Sequence, residues 1–300
     1  MTDWPAIVWI ALGAGALLLV AVVVLRGVVA ARGVKLGPRR KVAMAMWQGP
    51  GEGYIHAKLE VDAEEVLEFL QWQGGHSEHR ATLTALVGKA VGEVLVRVPE
   101  LNRALVWDTL LAHDTVDLSV LVAFDGQKDV GWVKLRGVHE MSVDDVAREL
   151  RLGARGVRES GQGPFVQRIL PVGLLRPVMA LSGWYAAGLG GSLRPFGIEP
   201  YPFGSAVITT AATYDIDEVY DARTPFGHVS FNVVVCRVRE RAVVRDGRVE
   251  ARRCFNLCLN ADHRMIDAVH LGRTLAVLRE VLENPWPLAG LDGRPDGTDA

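Results

Sequence analysis

The sequence predicts a mixed α/β domain, with helices covering a sheet, behind one transmembrane helix. Three observations carry that expectation. Alternating, strand-like segments and helical stripes are interspersed along 300 residues that are 49% hydrophobic, enough to bury a sizeable core. From Trp4 to Leu25, WPAIVWIALGAGALLLVAVVVL, 22 residues pass without a formal charge, and as a helix such a run matches a hydrocarbon core about 30 Å thick. Only Asp3 precedes it, whereas Arg26, Arg32, Lys35, Arg39, Arg40 and Lys41 follow with no acid between them.

A secretory leader carries its basic residues before the apolar run and a small-residue cleavage site after it. This run has the opposite polarity, so it is expected to remain as a single-pass anchor in the cell inner (cytoplasmic) membrane. The basic side stays cytoplasmic, which places the N-terminus outside and the following domain inside. The expected divisions are an anchor and basic linker over 1–36, one domain over 37–287, and a flexible tail over 288–300. A net charge of -2 gives no reason to expect a nucleic-acid partner. Cys236, Cys254 and Cys258 cannot pair completely and form no CxxC. They are expected to be reduced and structural, with Cys254 and Cys258 facing the core from one strand.

After the linker RGVKLGPRRK, GYIHAKLEVD reads as a strand and AEEVLEFLQW as a helix. Leu83, Leu86, Val87, Ala90, Val91, Val94 and Leu95 make one long helical stripe, ended by Pro99. VDLSVLVAFD and VGWVKLRGV follow as strands around a polar turn. Ser142 is placed to cap the next helix, with Asp145 completing a capping box. FGHVSFNVVVCRV and RRCFNLCLN are later strands, neighbours across the RERAVVRDGRVE turn region. Between them and the capped helix lies RILPVGLLRPVMALSGWYAAGLGGSLRPFG, residues 168–197, apolar and broken by Pro171 and Pro177. Its uncharged part, from Pro177 to Leu193, is too short and glycine-rich for a second span. Core helices account for it, as does a membrane-surface hairpin over 168–193, for which Trp184 and Tyr185 suit an interface.

The segment LNADHRMIDAVHLGRTLAVLRE holds the polar residues of greatest interest. Alternation stops at Asp262, and a helical stripe begins at Val269, so His263 falls just past a strand and Asp267 at or near a helix N-cap. A cap alone explains Asp267. No HExxH or zinc spacing accompanies His263, no G-x-S-x-G elbow and no Walker-type phosphate loop occur, and no metal site is expected. A histidine without an activated serine or cysteine nearby can still serve as general base for an incoming thiol or hydroxyl.

DHRMIDA, 262–268, resembles the D-H-R-x-x-D-G signature of the acyltransferase (E2) catalytic domain of 2-oxo acid dehydrogenase complexes, related in fold to chloramphenicol acetyltransferase. GPRRKVAMAMW resembles that family's opening R-K-x-I-A-x-x-M helix. VPELNRALVWDTLLAHDTVDLSVLVA resembles its P-x-x-N segment and the strands after it. MSVDDVARELRLGARGVRESG resembles the helix after its G-L-x-V-P-V-I strand, and GSAVITTAATYDIDEV its G-T-F-T-I-S-N-L-G segment. Together these cover about residues 37–285 in the family's order.

The resemblance implies a chloramphenicol acetyltransferase-like two-layer fold. It also implies acyl transfer from an acyl thioester, coenzyme A-bound or carrier-bound, to a thiol or another small nucleophile. His263 matches the catalytic base. Asp267 matches the carboxylate that pairs with the arginine of the opening helix, for which Arg40 is the best match. Thr209 falls where the family has the serine whose hydroxyl stabilises the tetrahedral oxyanion. The family also implies a homotrimer in which His263 of one chain faces Thr209 of the next. No covalently bound cofactor is expected; coenzyme A enters as substrate thioester.

Four departures accompany the likeness. Ala268 replaces the last signature glycine, Thr209 and Thr210 replace serine and asparagine, GQKDVGWVKLRG lacks the family's proline, and 164–203 matches nothing in it. The likeness extends to no lipoyl or subunit-binding domain within the 300 residues, so a swinging lipoyl arm is not the expected donor. The alternative is a catalytically inactive scaffold or binding protein of the same fold at the membrane. A condensation-type enzyme, with its H-H-x-x-x-D-G motif, fits less well because position 262 is Asp.

Overall fold

The computed structural model describes residues 4–31, 53–106, 109–124, 129–160, 170–189, 193, 201–222 and 227–295. The apolar N-terminal run is helix α1 (Trp4–Ala31, 28 residues), about 42 Å long at 1.5 Å per residue. Trp9, Leu12, Leu17 and Val20 on it are exposed. The segment expected as an anchor is helical, but among the described residues no helix is long and apolar enough to cross a membrane.

The domain is a mixed sheet with helices on one face. Its strands run in the order β1 (Tyr54–Asp62), β9 (Arg248–Asp262), β7 (Phe231–Val235), β6 (Ala206–Thr210), β4 (Leu118–Phe124) and β5 (Asp129–Leu135). β6 lies parallel to both β4 and β7, and the other neighbours are antiparallel. The segment expected as a turn region is instead β8 (Arg239–Arg245), which pairs with the first half of β9. A one-residue shift of register would flip every side chain of a strand, so the alternation decides the faces. Phe255, Leu257, Leu259 and Ala261 of β9 join Phe231, Val233 and Val235 of β7 in the main core. Cys258 belongs to a small second cluster on the opposite face, with Cys236 and Val234. Cys254 has the same strand parity as Cys258, so the two cysteines do share a face, but it is the one away from the main core.

Helices α2 (Glu64–His76), α3 (Leu83–Arg97), α4 (Val143–Ser160) and α6 (Ala268–Glu283) cover the main core. The stripe expected on α3 is buried from Leu86 to Leu95, with Leu83 half-buried at its start. At the start of α4, Ser142 Oγ accepts from the Asp145 amide at 3.1 Å and the Asp145 carboxylate accepts from the Ser142 amide at 3.1 Å. That reciprocal pair is the expected capping box. Gly153 lets α4 approach β5: a Cβ there would sit 2.4 Å from Val133 Cγ1. A bidentate Arg97–Glu280 pair ties α3 to α6, and Trp286 packs edge-on against Phe69 while its indole N–H donates to Glu65.

The apolar middle segment forms α5 (Val172–Leu189), with Pro177 inside it at the loss of one helical hydrogen bond. Leu175 and Ala186 are buried, whereas Leu174, Val178, Leu181 and Tyr185 are exposed. Their i, i+4, i+7, i+11 spacing places them on one face. The expected core helix therefore buries only part of its apolar surface.

Candidate active site

β9 delivers His263. Its ladder with β1 runs from Cys254 opposite Asp62 to Asp262 opposite Tyr54, and the His263 amide continues it by donating to Gly53 O at 3.0 Å. Asp262 then turns the chain. Its carboxylate is buried and accepts two bonds from the Arg264 guanidinium, at 2.9 and 2.7 Å, and one from the Arg264 amide. Its carbonyl accepts from the amides of Met265 and Ile266. These bonds hold a tight turn with His263 exposed on it. The ring is oriented by its own turn: Nδ1–H donates to Ile266 O at 2.8 Å. A carbonyl only accepts, so Nδ1 carries a proton, and in the neutral ring Nε2 then carries the lone pair. That is the tautomer a general base needs.

Asp267 performs the other role open to it. It is the N-cap of α6, accepting from the amides of Val269 at 2.9 Å and His270 at 3.2 Å. His270 Nδ1 lies 2.8 Å from the same carboxylate and completes a capping box. The His270 amide, before the other donors, holds the Asp267 carboxyl below the usual range. Arg40 and the opening segment 37–47 lie outside the described residues, so the expected Arg40–Asp267 pair is not part of the described structure. Ala268, where the family has glycine, is the first exposed residue of α6 and is absent from the positive-φ positions. Its methyl group therefore meets no backbone penalty.

Thr209 stands elsewhere. It lies near the end of β6, opposite Val234 of β7, which in turn faces Cys258 of β9. His263 is five positions beyond Cys258 along β9. At about 3.3 Å per residue and 4.8 Å per strand, that is about 17 Å along the sheet and about 10 Å across it. One chain does not bring the two together. The Thr210 hydroxyl accepts from the Ala212 amide at 3.3 Å, while among the described residues the Thr209 hydroxyl has no partner and remains available.

Thr209 and Thr210 line a groove of about 700 Å³ between β6, the first turn of α3 and α4. Arg80, Arg151, Arg155 and Arg158 border it. The last three recur at i, i+4 and i+7 and so share one face of α4. Arg80, Arg155 and Arg158 have no carboxylate partner among the described residues, and Arg151 reaches only Arg80 O at 3.4 Å. Thr82 caps α3 by accepting from the Ala85 amide, which adds the positive end of a helix. The sequence reading missed these arginines. Their spacing on α4 was a visible signal, but nothing in it joined them to Arg80 or to Thr209.

The model for the 2-oxoacid dehydrogenases acyltransferase catalytic domain matches residues 233–289, from within β7 through His263 and α6 to the turn after it. The lipoamide acyltransferase component of the branched-chain alpha-keto acid dehydrogenase complex of Bacillus subtilis is 23% identical over 206 residues, covering 68% of this chain and 39% of that protein. This chain thus spans about two-fifths of that relative's length. A probable dihydrolipoamide acetyltransferase from Listeria monocytogenes has a TM-score of 0.62 at 16% identity, covering 84% of this chain and 94% of that one. The chain shares its fold with that structure. The enzyme from Azotobacter vinelandii, studied for the roles of a serine, a histidine and an asparagine in its mechanism, has a TM-score of 0.60 at 16% identity over 80% of this chain and 85% of that one. The matches support an acyltransferase, and the family match contains His263.

Within this acyltransferase fold, Asp267 is expected to act through the helix end. Asp267→Ala lowers the thermal midpoint, and Asp267→Asn, which also caps well, largely retains it. An Asp267→Asn variant as unstable as Asp267→Ala would restore the ion-pair role.

Proposed function

We propose that the chain transfers an acyl group from a phosphate-bearing thioester, acyl-coenzyme A or a carrier-bound acyl phosphopantetheine, to a thiol or another small nucleophile. The observation that carries this reading is the orientation of His263, exposed on its turn with Nδ1 held by Ile266 O so that Nε2 is left free to act as a base. Nε2 removes the proton of the incoming thiol. The thiolate attacks the thioester carbonyl, a new C–S bond forms, and Thr209 donates its hydroxyl proton in a hydrogen bond to the oxyanion. The intermediate collapses by breaking the donor's C–S bond, and His263 returns the proton to the leaving thiolate. The separation of His263 from Thr209 within a chain supports a shared site, with His263 of one copy meeting Thr209 of the next in a homotrimer. The arginine-bordered groove beside Thr209 supplies the charge for the donor's phosphates.

The membrane belongs to the same proposal. α1 and the basic residues after it anchor the chain, N-terminus outside, and the exposed Leu174–Val178–Leu181–Tyr185 face of α5 rests on the cytoplasmic surface of the bilayer. A catalytically inactive binding protein is the reading that a chain confined to the monomer would favour, because Thr209 then has no base within reach.

In a thioester exchange assay, His263→Ala is expected to cut kcat by about 10²- to 10⁴-fold with the fold intact. Thr209→Val is expected to cost about 10²- to 10³-fold, and Thr209→Ser to retain most activity. Arg155→Ala raises the KM for acyl-coenzyme A more than it lowers kcat. A His263→Ala enzyme with the parent's rate contradicts the mechanism. In cell fractionation the full chain resists a high-salt wash and a chain starting at Gly37 is released much more readily; recovery of the full chain in the soluble fraction contradicts the anchor.

A further inference from the structure

The sheet face away from the main core carries buried amides. Asn256 and Asn260 on β9, and Asn232 on β7, are 1%, 2% and 1% exposed, beneath the segment 216–222. The Asn256 side-chain amide donates to Asp217 O at 2.8 Å and that of Asn260 to Asp221 O at 2.6 Å. Asn232, the direct register partner of Asn260, donates to Asp221 Oδ2 at 3.0 Å and Ala222 O at 3.2 Å. These bonds settle how the amides face, because a flipped amide would set oxygen against oxygen.

What remains unmatched is all oxygen. Oδ1 of Asn232, Asn260 and Asp221 is buried without a partner among the described residues. Asn232 and Asn260 are directly opposed strand residues, whose Cβ atoms lie about 5 Å apart, and both amides donate to Asp221, one to its carboxylate and one to its carbonyl, which gathers the three residues at one place on the sheet. A single water donates two hydrogen bonds, which leaves one acceptor and the carboxylate charge unmet. A protonated Asp221 becomes a donor to one amide oxygen and leaves the other unmet. Burial pushes the Asp221 carboxyl up to about 6, the direction expected of a carboxylate with no cation beside it.

Four residues earlier the Asp217 carboxylate has a cation beside it, Arg239 at 2.5 Å, although Asn256 Oδ1 there is likewise buried without a partner among the described residues. At Asp221 no described side chain supplies a positive charge. We propose that Asp221, Asn232 and Asn260 bind an alkali-metal cation, Na⁺ or K⁺, through their three Oδ1 atoms. Carboxylate and amide oxygens suit a hard cation. One carboxylate neutralises one monovalent charge, whereas a divalent ion would bury a net positive charge at a desolvation cost. The ion fastens the 216–222 segment to β7 and β9, between the Thr209 row of the sheet and the end of β9 that carries His263.

The test uses the full chain in detergent, exchanged into choline chloride. Thermal midpoints are measured as NaCl or KCl replaces choline chloride at constant ionic strength. A saturable rise with Na⁺ or K⁺, lost in Asp221→Asn, is expected. Equal midpoints in all three salts overturn the proposal, as does an Asp221→Asn variant that keeps the full rise. Should that variant fail to fold, wild-type crystals soaked in thallium(I) decide it: an anomalous peak among the three oxygens is expected, and its absence overturns the site.

Discussion

The pairing of β9 with β7, Ala261 against Phe231, governs the rest of the structure. That register puts Phe255, Leu257 and Leu259 into the main core and Asn256, Cys258 and Asn260 on the other face. It also sets the distance between the two candidate catalytic residues. β6 continues from β7 in parallel, so Thr209 is level with Cys258, and His263 lies beyond the opposite end of β6. Side-chain rearrangement cannot close about 17 Å of strand. If His263 and Thr209 act on one substrate, they come from different copies of the chain.

The turn after β9 separates two tasks that the sequence places four residues apart. Asp262, with its buried carboxylate on Arg264, builds the turn, and Ile266 O orients the His263 ring. Asp267 ends the turn by starting α6. A carboxylate that caps a helix is well employed with no distant arginine, so the resemblance to a family ion pair and the local hydrogen bonding lead to different accounts of the same residue. The local account is the one the described residues carry.

Much of this was legible from residue pattern. The α3 stripe, the Ser142–Asp145 box, the place of His263 past a strand and the Asp267 cap follow from periodicity and local hydrogen-bonding chemistry, which act over a few residues. What was not legible depends on contacts across the chain. β8 looked like a turn because Arg239–Arg245 alternates weakly, and only its ladder with β9 makes it a strand. The shared face of Cys254 and Cys258 could be read from parity, but which face held the main core could not. The groove arginines needed Arg80 brought beside α4, and the unmatched oxygens around Asp221 needed the register of Asn232 with Asn260. The α5 segment was ambiguous for a physical reason: its apolar residues are divided between a buried and an exposed face.

Subunit mixing tests the shared site most directly. His263→Ala and Thr209→Val chains are each strongly impaired on this account, and each spoils a different half of the site. Unfolded together and refolded in equal amounts, they form mixed trimers in which an intact His263 meets an intact Thr209 at some interfaces. The account predicts that activity returns to a substantial fraction of the parent's rate, while either variant refolded alone stays at its own residual rate. Mixed assemblies, confirmed by mass, that remain as inactive as the single variants would contradict it.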